Sequence, residues 1–335
     1  MIVAAGTDEL LRRVREGEVF ACARLMTWAE RGDPRFAQVH GDFAGQLGGA
    51  RRIGITGPPG AGKSTLVDGL AKSWRQRDSD RTLGILAVDP SSPFTGGALL
   101  GDRVRMADLA LDPGVFIRSM ATRGAFGGLA ARTDDLLDVL DLFGRHTLLV
   151  ETVGVGQSEV DVARSADLTV VVLHPGGGDT IQAMKAGLME IADLYLLNKA
   201  DLPGSDRLAE QLEDALSMRK LAAEERPLIL QASASEGRGL DELAETLDEL
   251  WIAAESSGRL AARRQENMRR RVVRLVEGQL AADLWQRASL AESLNERLSQ
   301  DDALSAHGLA AELLAAWHDG TQAGTPHGTG GGAQS

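Results

Sequence analysis

Between residues 51 and about 255, short apolar runs alternate with longer amphipathic stretches. The runs are partly β-branched and apolar on both faces, which is typical of parallel strands covered by helices on each side. The spacers are long enough to hold the crossover helices that parallel strands need. This pattern predicts an α/β domain with a mostly parallel sheet flanked by helices. Seven runs are predicted strands: Ile53–Thr56, Leu83–Val88, Val115–Ile117, Thr147–Val150, Leu168–Leu173, Leu194–Leu197 and Leu228–Leu230.

Helical spacing replaces this alternation at both ends of the chain. Before residue 51, apolar side chains recur at helical intervals, among them Leu10, Leu11, Val14, Ala21, Leu25 and Trp28. After residue 255 no strand pattern occurs, and two helical stripes follow, Val273, Val276, Leu280 and Leu284 and then Leu290, Leu294 and Leu298. We predict a helical segment (1–50), the α/β domain (51–255), a helical C-terminal arm (256–320) and a disordered Gly-rich tail (321–335).

Composition narrows the class of protein. The net charge of -12 over 335 residues argues against a nucleic-acid binder, and the seven arginines between Arg259 and Arg274 are interpreted as a solvated helix face. The single cysteine, Cys22, excludes an intrachain disulfide and fits a reducing compartment. No run approaches the roughly 18 apolar residues that span a bilayer. A cytoplasmic protein without nucleic-acid or membrane partners is expected.

The segment GPPGAGKST satisfies the phosphate-binding pattern G-x-x-x-x-G-K-[ST], between a predicted strand and a predicted helix. Its glycines let the backbone wrap around phosphates, and the next helix directs its positive end at the same charge. Lys63 is expected to reach the β- and γ-phosphates, and the Ser64 hydroxyl to hold Mg²⁺. The predicted P-loop consists of Gly57, Pro58, Pro59, Gly60, Ala61, Gly62, Lys63, Ser64 and Thr65.

The segment NKAD at 198–201 follows a predicted strand, and ligands bind at the carboxyl ends of parallel strands. Asp201 can accept hydrogen bonds from N1–H and the 2-amino group of guanine, whereas adenine offers neither donor. The Lys199 stem can cover the base, and Asn198 can tie this loop to the P-loop. Ser233 and Ala234 are expected to supply the backbone amide that contacts the guanine oxygen.

Acidic residues beside the P-loop predict a metal site. Asp89 and Glu151 each end an apolar run, and Asp102 lies in a nearby Gly-Asp-Arg segment, so these carboxylates can hold Mg²⁺ directly or through water. The spacing from Glu151 to Gly154 lets the Gly154 amide bond the γ-phosphate. Gln157 is a candidate to orient the attacking water. Three arginines are candidates to supply charge at the transition state, and the sequence does not choose among them: Arg103, Arg105 and Arg123.

Longer stretches add to these motifs. They are VDPSSP at 88–93 with TGGALLGDR at 95–103, ATRG at 121–124 with GGL at 127–129, ETVGVGQSE at 151–159, and GD, IQ, KAG and EIAD between 178 and 193. Across residues 50–205 the chain resembles the G-protein chaperones of adenosylcobalamin-dependent acyl-CoA mutases, of which the methylmalonyl-CoA mutase-associated GTPase is the best known.

The resemblance implies a Mg²⁺-dependent GTPase that binds GTP and GDP and gates adenosylcobalamin loading and protection of a mutase. It implies that Asp89, Asp102 and Glu151 surround Mg²⁺ and that the C-terminal arm forms a homodimer. It also makes Thr180–Glu190 a switch beside the mutase, with Lys185 reaching the nucleotide when that switch is closed.

Two other classes of protein stay open at this point. GTPases that insert nickel into enzymes tend to carry Cys/His clusters, whereas here Cys22 stands alone and the six histidines are scattered. An ATP-dependent kinase conflicts with NKAD. The sequence does not select among methylmalonyl-, isobutyryl-, 2-hydroxyisobutyryl- and ethylmalonyl-CoA mutases as the partner.

Overall fold

The predicted α/β domain is built on one seven-stranded parallel sheet. The computed structural model describes residues 2–89, 106, 108–121, 128–152, 165–176, 188–219, 226–286, 288–300 and 305–322. Within these residues the strands are β1 (Arg51–Thr56), β2 (Leu83–Asp89), β3 (Val115–Ala121), β4 (Thr147–Glu151), β5 (Leu168–Leu173), β6 (Leu194–Leu197) and β7 (Leu228–Gln231). They lie in the order β3-β2-β4-β1-β5-β6-β7, and all paired strands are parallel. Each predicted run lies within one of these strands, which confirms the predicted fold class.

Helices cover the sheet and continue beyond it. In the described part of the chain they are α1 (Ile2–Arg15), α2 (Val19–Arg31), α3 (Pro34–Phe43), α4 (Lys63–Arg77), α5 (Gly128–Leu142), α6 (Ser205–Ser217), α7 (Leu240–Ser256), α8 (Arg259–Gln286), α9 (Ala288–Gln300) and α10 (Ala306–Gln322). The chain forms two compact units, Met1–Val272 and Val273–Ser335. Among the described residues, no helix combines the length and the apolar character needed to cross a bilayer.

The first unit has three layers because both faces of its sheet are apolar. Successive side chains of a strand point to opposite faces, so Val170 and Val172 of β5 pack on the face covered by α4 and α7. Val171 and Leu173 pack on the other face with the leucines of α6. The predicted N-terminal positions, Leu10, Leu11, Val14, Ala21, Leu25 and Trp28, are all buried, in a cluster with α5, β2 and β3.

The second unit consists of the end of α8 and the helices α9 and α10. Leu290 of α9 and Leu309 of α10 are buried, and Arg297 pairs with Glu312 at 2.7 Å. The predicted stripe on α8 is different, because Val273, Val276 and Leu280 are exposed in the single chain, as is Leu298 on α9.

A buried ion cluster lies where α3, α5, β1 and α8 meet. The Asp138 carboxylate is 2.7 Å from the Arg52 guanidinium and 2.6 Å from that of Arg271, and it is 2.8 Å from His40 Nε2. Burial alone would raise the pKa of Asp138. The hydrogen bond from His40 and the charges of the two arginines outweigh burial and hold that pKa below its usual range.

A second ion cluster attaches α8 to the loops that precede β5 and β6. Arg264 donates to both oxygens of Asp167, at 2.8 and 2.9 Å, and Asp167 is buried. Arg263 NH1 donates to the Asp167 carbonyl and to Asp193 Oδ2, at 2.5 and 2.6 Å. The interpretation of the arginines as a solvated face was therefore wrong for Arg264 and Arg271, because buried carboxylates elsewhere in the fold pair with them.

We predict that Asp138→Asn lowers the free energy of unfolding by about 3–5 kcal/mol, because Arg52 and Arg271 lose their shared buried carboxylate. The pKa of this carboxyl is lowered on folding, so its contribution is present above the unfolded pKa of about 3.9 and falls at lower pH. Urea denaturation at pH 7 and at about pH 3, which lies below the unfolded pKa, measures both effects. Glu266→Gln, which removes an exposed partner of Arg269, is the control. Equal losses for the two variants would contradict the prediction.

Candidate nucleotide-binding site

The P-loop joins the central strand β1 to α4 and depends on glycine at specific positions. Gly57, Gly60 and Gly62 have φ angles of 142°, 73° and 87°, in the region that side chains disfavour. A Cβ atom on Gly57 would lie 2.1 Å from the Val172 carbonyl oxygen, and one on Gly62 would lie 2.5 Å from Asn198 Nδ2. The loop therefore packs against β5 on one side and the NKAD segment on the other.

Lys63 places a positive charge inside this loop. It is the first residue of α4 and is buried. Its Nζ donates to the carbonyl oxygens of Gly57 and Pro58, at 2.7 and 3.0 Å. The positive end of the α4 dipole lies at the same place. Ammonium group, loop amides and helix end together create a local anion site on a protein whose net charge is -12.

Oxygen ligands meet beside the P-loop. The Ser64 hydroxyl donates to Glu151 Oε1 at 2.5 Å, and Glu151 is buried at the end of β4. A hydroxyl and a carboxylate are the hard oxygen donors that suit Mg²⁺. The register pairs Ala87 of β2 with Glu151, so Asp89 lies two residues further along the neighbouring strand. Within the described residues, no group of three or more His, Cys, Asp or Glu side chains is placed to hold a metal.

A pair of threonines fixes the strand ends that carry these groups, and the sequence analysis missed it. Thr152 Oγ1 donates to Thr56 Oγ1 at 3.0 Å, and Thr152 N donates to the Ile55 carbonyl at 3.1 Å. These bonds hold the end of β4, and with it Glu151, against the end of β1. The available sequence clue was a polar residue at the end of each of two buried strands.

Asn198 connects the base loop to the phosphate loop. Its Nδ2 donates to the Ala61 carbonyl at 2.7 Å, and its Oδ1 accepts from the Ala234 amide at 3.0 Å. The Asn198 side chain is buried, so both bonds are shielded from water. One amide side chain thus spans the P-loop and the loop after β7.

The rest of the base loop presents a carboxylate. Lys199 has a φ of 58°, the one positive φ of a non-glycine residue in the described chain, and such strain is common at functional sites. Asp201 is exposed, and the Ser233 hydroxyl donates to its Oδ1 at 2.5 Å. This hydrogen bond lowers the pKa of Asp201. Asp201 is therefore ionised at neutral pH, as an acceptor for two guanine donors must be.

The amides of Ser233 and Ala234 already have protein acceptors. Ser233 N donates to the Arg238 carbonyl and Ala234 N to Asn198 Oδ1, each at 3.0 Å. A contact from either amide to the guanine oxygen stays a prediction, and it would require a shared hydrogen bond. The remaining predicted site residues and the three candidate arginines lie outside the described residues: Asp102, Gly154, Gln157, Lys185, Arg103, Arg105 and Arg123.

The parallel sheet, the P-loop at its central strand and the ionised carboxylate after β6 define a P-loop GTPase. The family model of the methylmalonyl-CoA mutase-associated GTPase MeaB matches residues 22–289. The chain belongs to this family, which confirms the resemblance found in the sequence, and it is a GTPase that binds guanine nucleotides.

Individual relatives agree with this assignment. The GTPase ArgK of Escherichia coli K12 is 39% identical over 274 residues, which cover 79% of this chain and 82% of that protein. The mitochondrial methylmalonic aciduria type A homolog of Mus musculus is 37% identical over 269 residues, 78% of this chain and 64% of that protein. A crystal structure titled LAO/AO transport system kinase superposes with a TM-score of 0.69 at 30% identity, covering 94% of this chain and 98% of that chain.

We predict that the unaltered chain binds GTP and GDP but not ATP. Asp201→Asn is expected to weaken GTP binding about tenfold or more and to favour the binding of xanthosine nucleotides. The xanthine 2-oxo group can accept a hydrogen bond from the new amide, whereas guanine loses a charged acceptor. Competition of labelled GTP by ATP and XTP measures this preference. Asp206→Asn, at an exposed acid in the first turn of α6, is the control. Equal competition by ATP and GTP on the unaltered chain would refute the prediction.

Proposed function

We propose that this chain is a GTP-hydrolysing chaperone that gates adenosylcobalamin loading and protection of an adenosylcobalamin-dependent acyl-CoA mutase of the methylmalonyl-CoA type. The observation that carries the proposal is the family match over residues 22–289, because the family description names a mutase-associated GTPase. The mouse relative, whose name refers to methylmalonic aciduria, supports it. The proposed compartment is the cytoplasm, in line with the single buried Cys22.

The described loops supply the binding chemistry of the proposal. The P-loop amides of residues 57–65 surround the phosphates, and Lys63 neutralises β- and γ-phosphate charge. Asp201 selects guanine, and the Lys199 stem covers the base. The Asn198 bridge fixes the distance between these two halves, so a nucleotide that fits one half is already aligned with the other.

Mg²⁺ is part of the proposal. Ser64 and Glu151 would hold the ion, directly or through water, together with the predicted ligands Asp89 and Asp102. When bound, Mg²⁺ would supply positive charge that offsets the negative charge developing on the phosphate during transfer. Ser64 Oγ, in the first turn of α4, and Glu151 Oε1, at the carboxyl end of β4, lie 2.5 Å apart, which supports a shared cation. Gln157 is the proposed residue that orients water.

Nucleotide state would be sensed by segments that leave the sheet beside the phosphates. β4 and β5 flank β1, so the chain that follows each of them starts next to the P-loop. In the proposal the Gly154 amide bonds the γ-phosphate after β4. The Thr180–Glu190 switch after β5 brings Lys185 toward the nucleotide when the mutase holds it closed.

The proposed active form is a homodimer formed by the C-terminal arm. The exposed apolar side chains of Val273, Val276 and Leu280 on α8 support it. Covering a water-exposed apolar stripe with a second copy of the chain stabilises the dimer. Light scattering of the purified chain should therefore give twice the mass of one chain. A monomer at micromolar concentration would argue against the arm as a dimer interface.

We predict that Glu151→Gln slows GTP hydrolysis by about tenfold or more and raises the Mg²⁺ concentration required for half-maximal rate, because the neutral amide is a weaker ligand for the ion. Phosphate release over a Mg²⁺ titration measures both quantities. Glu245→Gln removes an exposed carboxylate on α7 and serves as the matched control. Normal turnover of Glu151→Gln at low Mg²⁺ would show that Glu151 has no metal role.

We predict that the chain alone hydrolyses GTP slowly and that a mutase of this class accelerates it. A positive charge supplied by a partner-held segment is worth orders of magnitude in phosphoryl transfer. Lys185→Ala should leave the basal rate nearly intact and remove most of the stimulation. Lys72→Ala, which removes an ion pair on α4, is the control.

Two outcomes of that experiment would change the proposal. Equal loss of basal and stimulated rates in Lys185→Ala would make Lys185 a constant part of the site and not part of a switch. If no cobalamin-dependent mutase changed the rate, the nickel metallochaperone would become the better hypothesis. Coupling between binding events must be reciprocal, so GTP and GDP should also change the affinity of the chain for the mutase or its cofactor-loaded form.

A further inference from the structure

An apolar groove of about 390 Å³ lies beside the first half of β3. Val115, Phe116 and Ile117 of this strand line it, together with Val19 at the start of α2 and Leu111 of the turn at Leu109–Leu111. This groove lies at the start of β3, away from the carboxyl ends of the strands where the nucleotide site lies.

Large apolar side chains are exposed at this place. Leu111 is 85% exposed and Val19 is 52% exposed, and Phe20, the next residue of α2, is 83% exposed. Single exposed apolar residues are normal, but Val19 and Leu111 line the same groove, and exposed apolar residues grouped in this way mark an interaction surface.

The backbone of β3 adds a second feature. β3 is an outer strand of the sheet and pairs only with β2 among the described residues. Its other side carries N–H and C=O groups that no described strand pairs. Such an edge can accept an extended segment of another protein as an added strand, with alternate side chains entering the groove.

The charge of the groove indicates which segment fits. Arg145 lines the groove. Among the described residues, its NH1 donates to the Gly114 carbonyl at 3.3 Å and its guanidinium lies over the Phe143 ring.

Arg145 is partly exposed where it lines the groove, and only its Nε is buried out of a partner's reach. The Asp112 carboxylate in the groove already accepts from Arg75, at 2.8 and 2.9 Å. The groove therefore suits a partner that brings its own carboxylate.

The groove also adjoins a segment with a proposed role in metal binding. Leu111 follows Asp102 closely in the sequence, and Leu109 between them is buried in the main core. A partner that contacts Leu111 would touch the end of the segment that carries this proposed Mg²⁺ ligand.

We propose that the mutase partner docks in this groove through an extended segment that adds to β3, fills the groove with apolar side chains and places a carboxylate against Arg145. The inference rests on the proposed function and adds the docking surface to it. A second copy of this chain fits less well. It would bring another Arg145 to the groove, and its Asp112 carboxylate already pairs with its own Arg75.

The groove and the Thr180–Glu190 switch can act on one mutase. β3 and β5 are four strand spacings apart in the sheet, about 19 Å at roughly 4.8 Å per spacing. The end of β5 also lies seven residues further along the strand direction than the start of β3, roughly 23 Å at 3.3 Å per residue. The two places are therefore about 30 Å apart, close to the full width of an interface of about 800 Å² per partner. Docking in the groove would then determine the affinity of the chain for the mutase, whereas Lys185 would determine the stimulated rate of GTP hydrolysis.

The test uses the full chain and methylmalonyl-CoA mutase, with the dissociation constant measured by biolayer interferometry. Val19→Ser and Leu111→Ser, at two exposed side chains that line the groove, are each expected to weaken mutase binding at least tenfold while basal GTP hydrolysis stays unchanged. Arg145→Gln should weaken mutase binding and make that binding less dependent on salt concentration. Ile252→Ser, at a side chain of α7 that is 58% exposed, is the matched control and should bind normally.

Hydrogen exchange of the complex tests the added strand without any variant. Amides of residues 115–121 should exchange more slowly when the mutase binds. The docking proposal is overturned if the groove variants bind as Ile252→Ser does, if these amides are unprotected in the complex, or if they are protected by self-association of the chain alone. Failure of the unaltered chain to bind or respond to any acyl-CoA mutase would instead reject the proposed function, and the docking surface with it.

Discussion

Asn198 holds together two loops that lie far apart in the sequence, and the geometry of the nucleotide site depends on this bridge. Its side chain bonds the Ala61 carbonyl and the Ala234 amide, so the phosphate and base loops keep a fixed separation. Gly62 has to be a glycine because a Cβ atom would collide with the Asn198 amide. An unpaired buried amide costs about 1–3 kcal/mol, so losing either partner would disturb both halves of the site.

Local patterns made most of the fold and the binding loops predictable. Runs such as Leu168–Leu173 are apolar on both faces because the sheet is covered on both sides. The P-loop and NKAD are short segments whose chemistry is contained in adjacent residues. Contacts between distant residues were not predictable in this way. The threonine pair Thr152–Thr56 and the pairing of Arg264 with Asp167 depend on where the fold places each side chain.

The base loop shows how a residue can be identified correctly while its contacts differ from the expected ones. Ser233 was selected for its backbone amide, yet its hydroxyl is the group that bonds Asp201. Lys199 adopts a left-handed backbone that a lysine would avoid in isolation. The following amide, Ala200 N, bonds the Ala232 carbonyl at 3.0 Å and helps to hold this conformation. Neither arrangement follows from propensity, because the surrounding loops impose both.

The first half of α8 has a consequence for how such proteins can be recombined. The predicted α/β domain ended near residue 255, but Arg264 and Arg271 neutralise Asp167 and Asp138 inside the first compact unit. A chimaera joined at residue 255 would leave the buried Asp167 without its arginine, and Asp138 with Arg52 as its remaining arginine, unless the grafted helix carried arginines in the same register. Exchange of the C-terminal arm between family members is therefore expected to succeed at junctions beyond Val272 and to fail at junctions before Arg264.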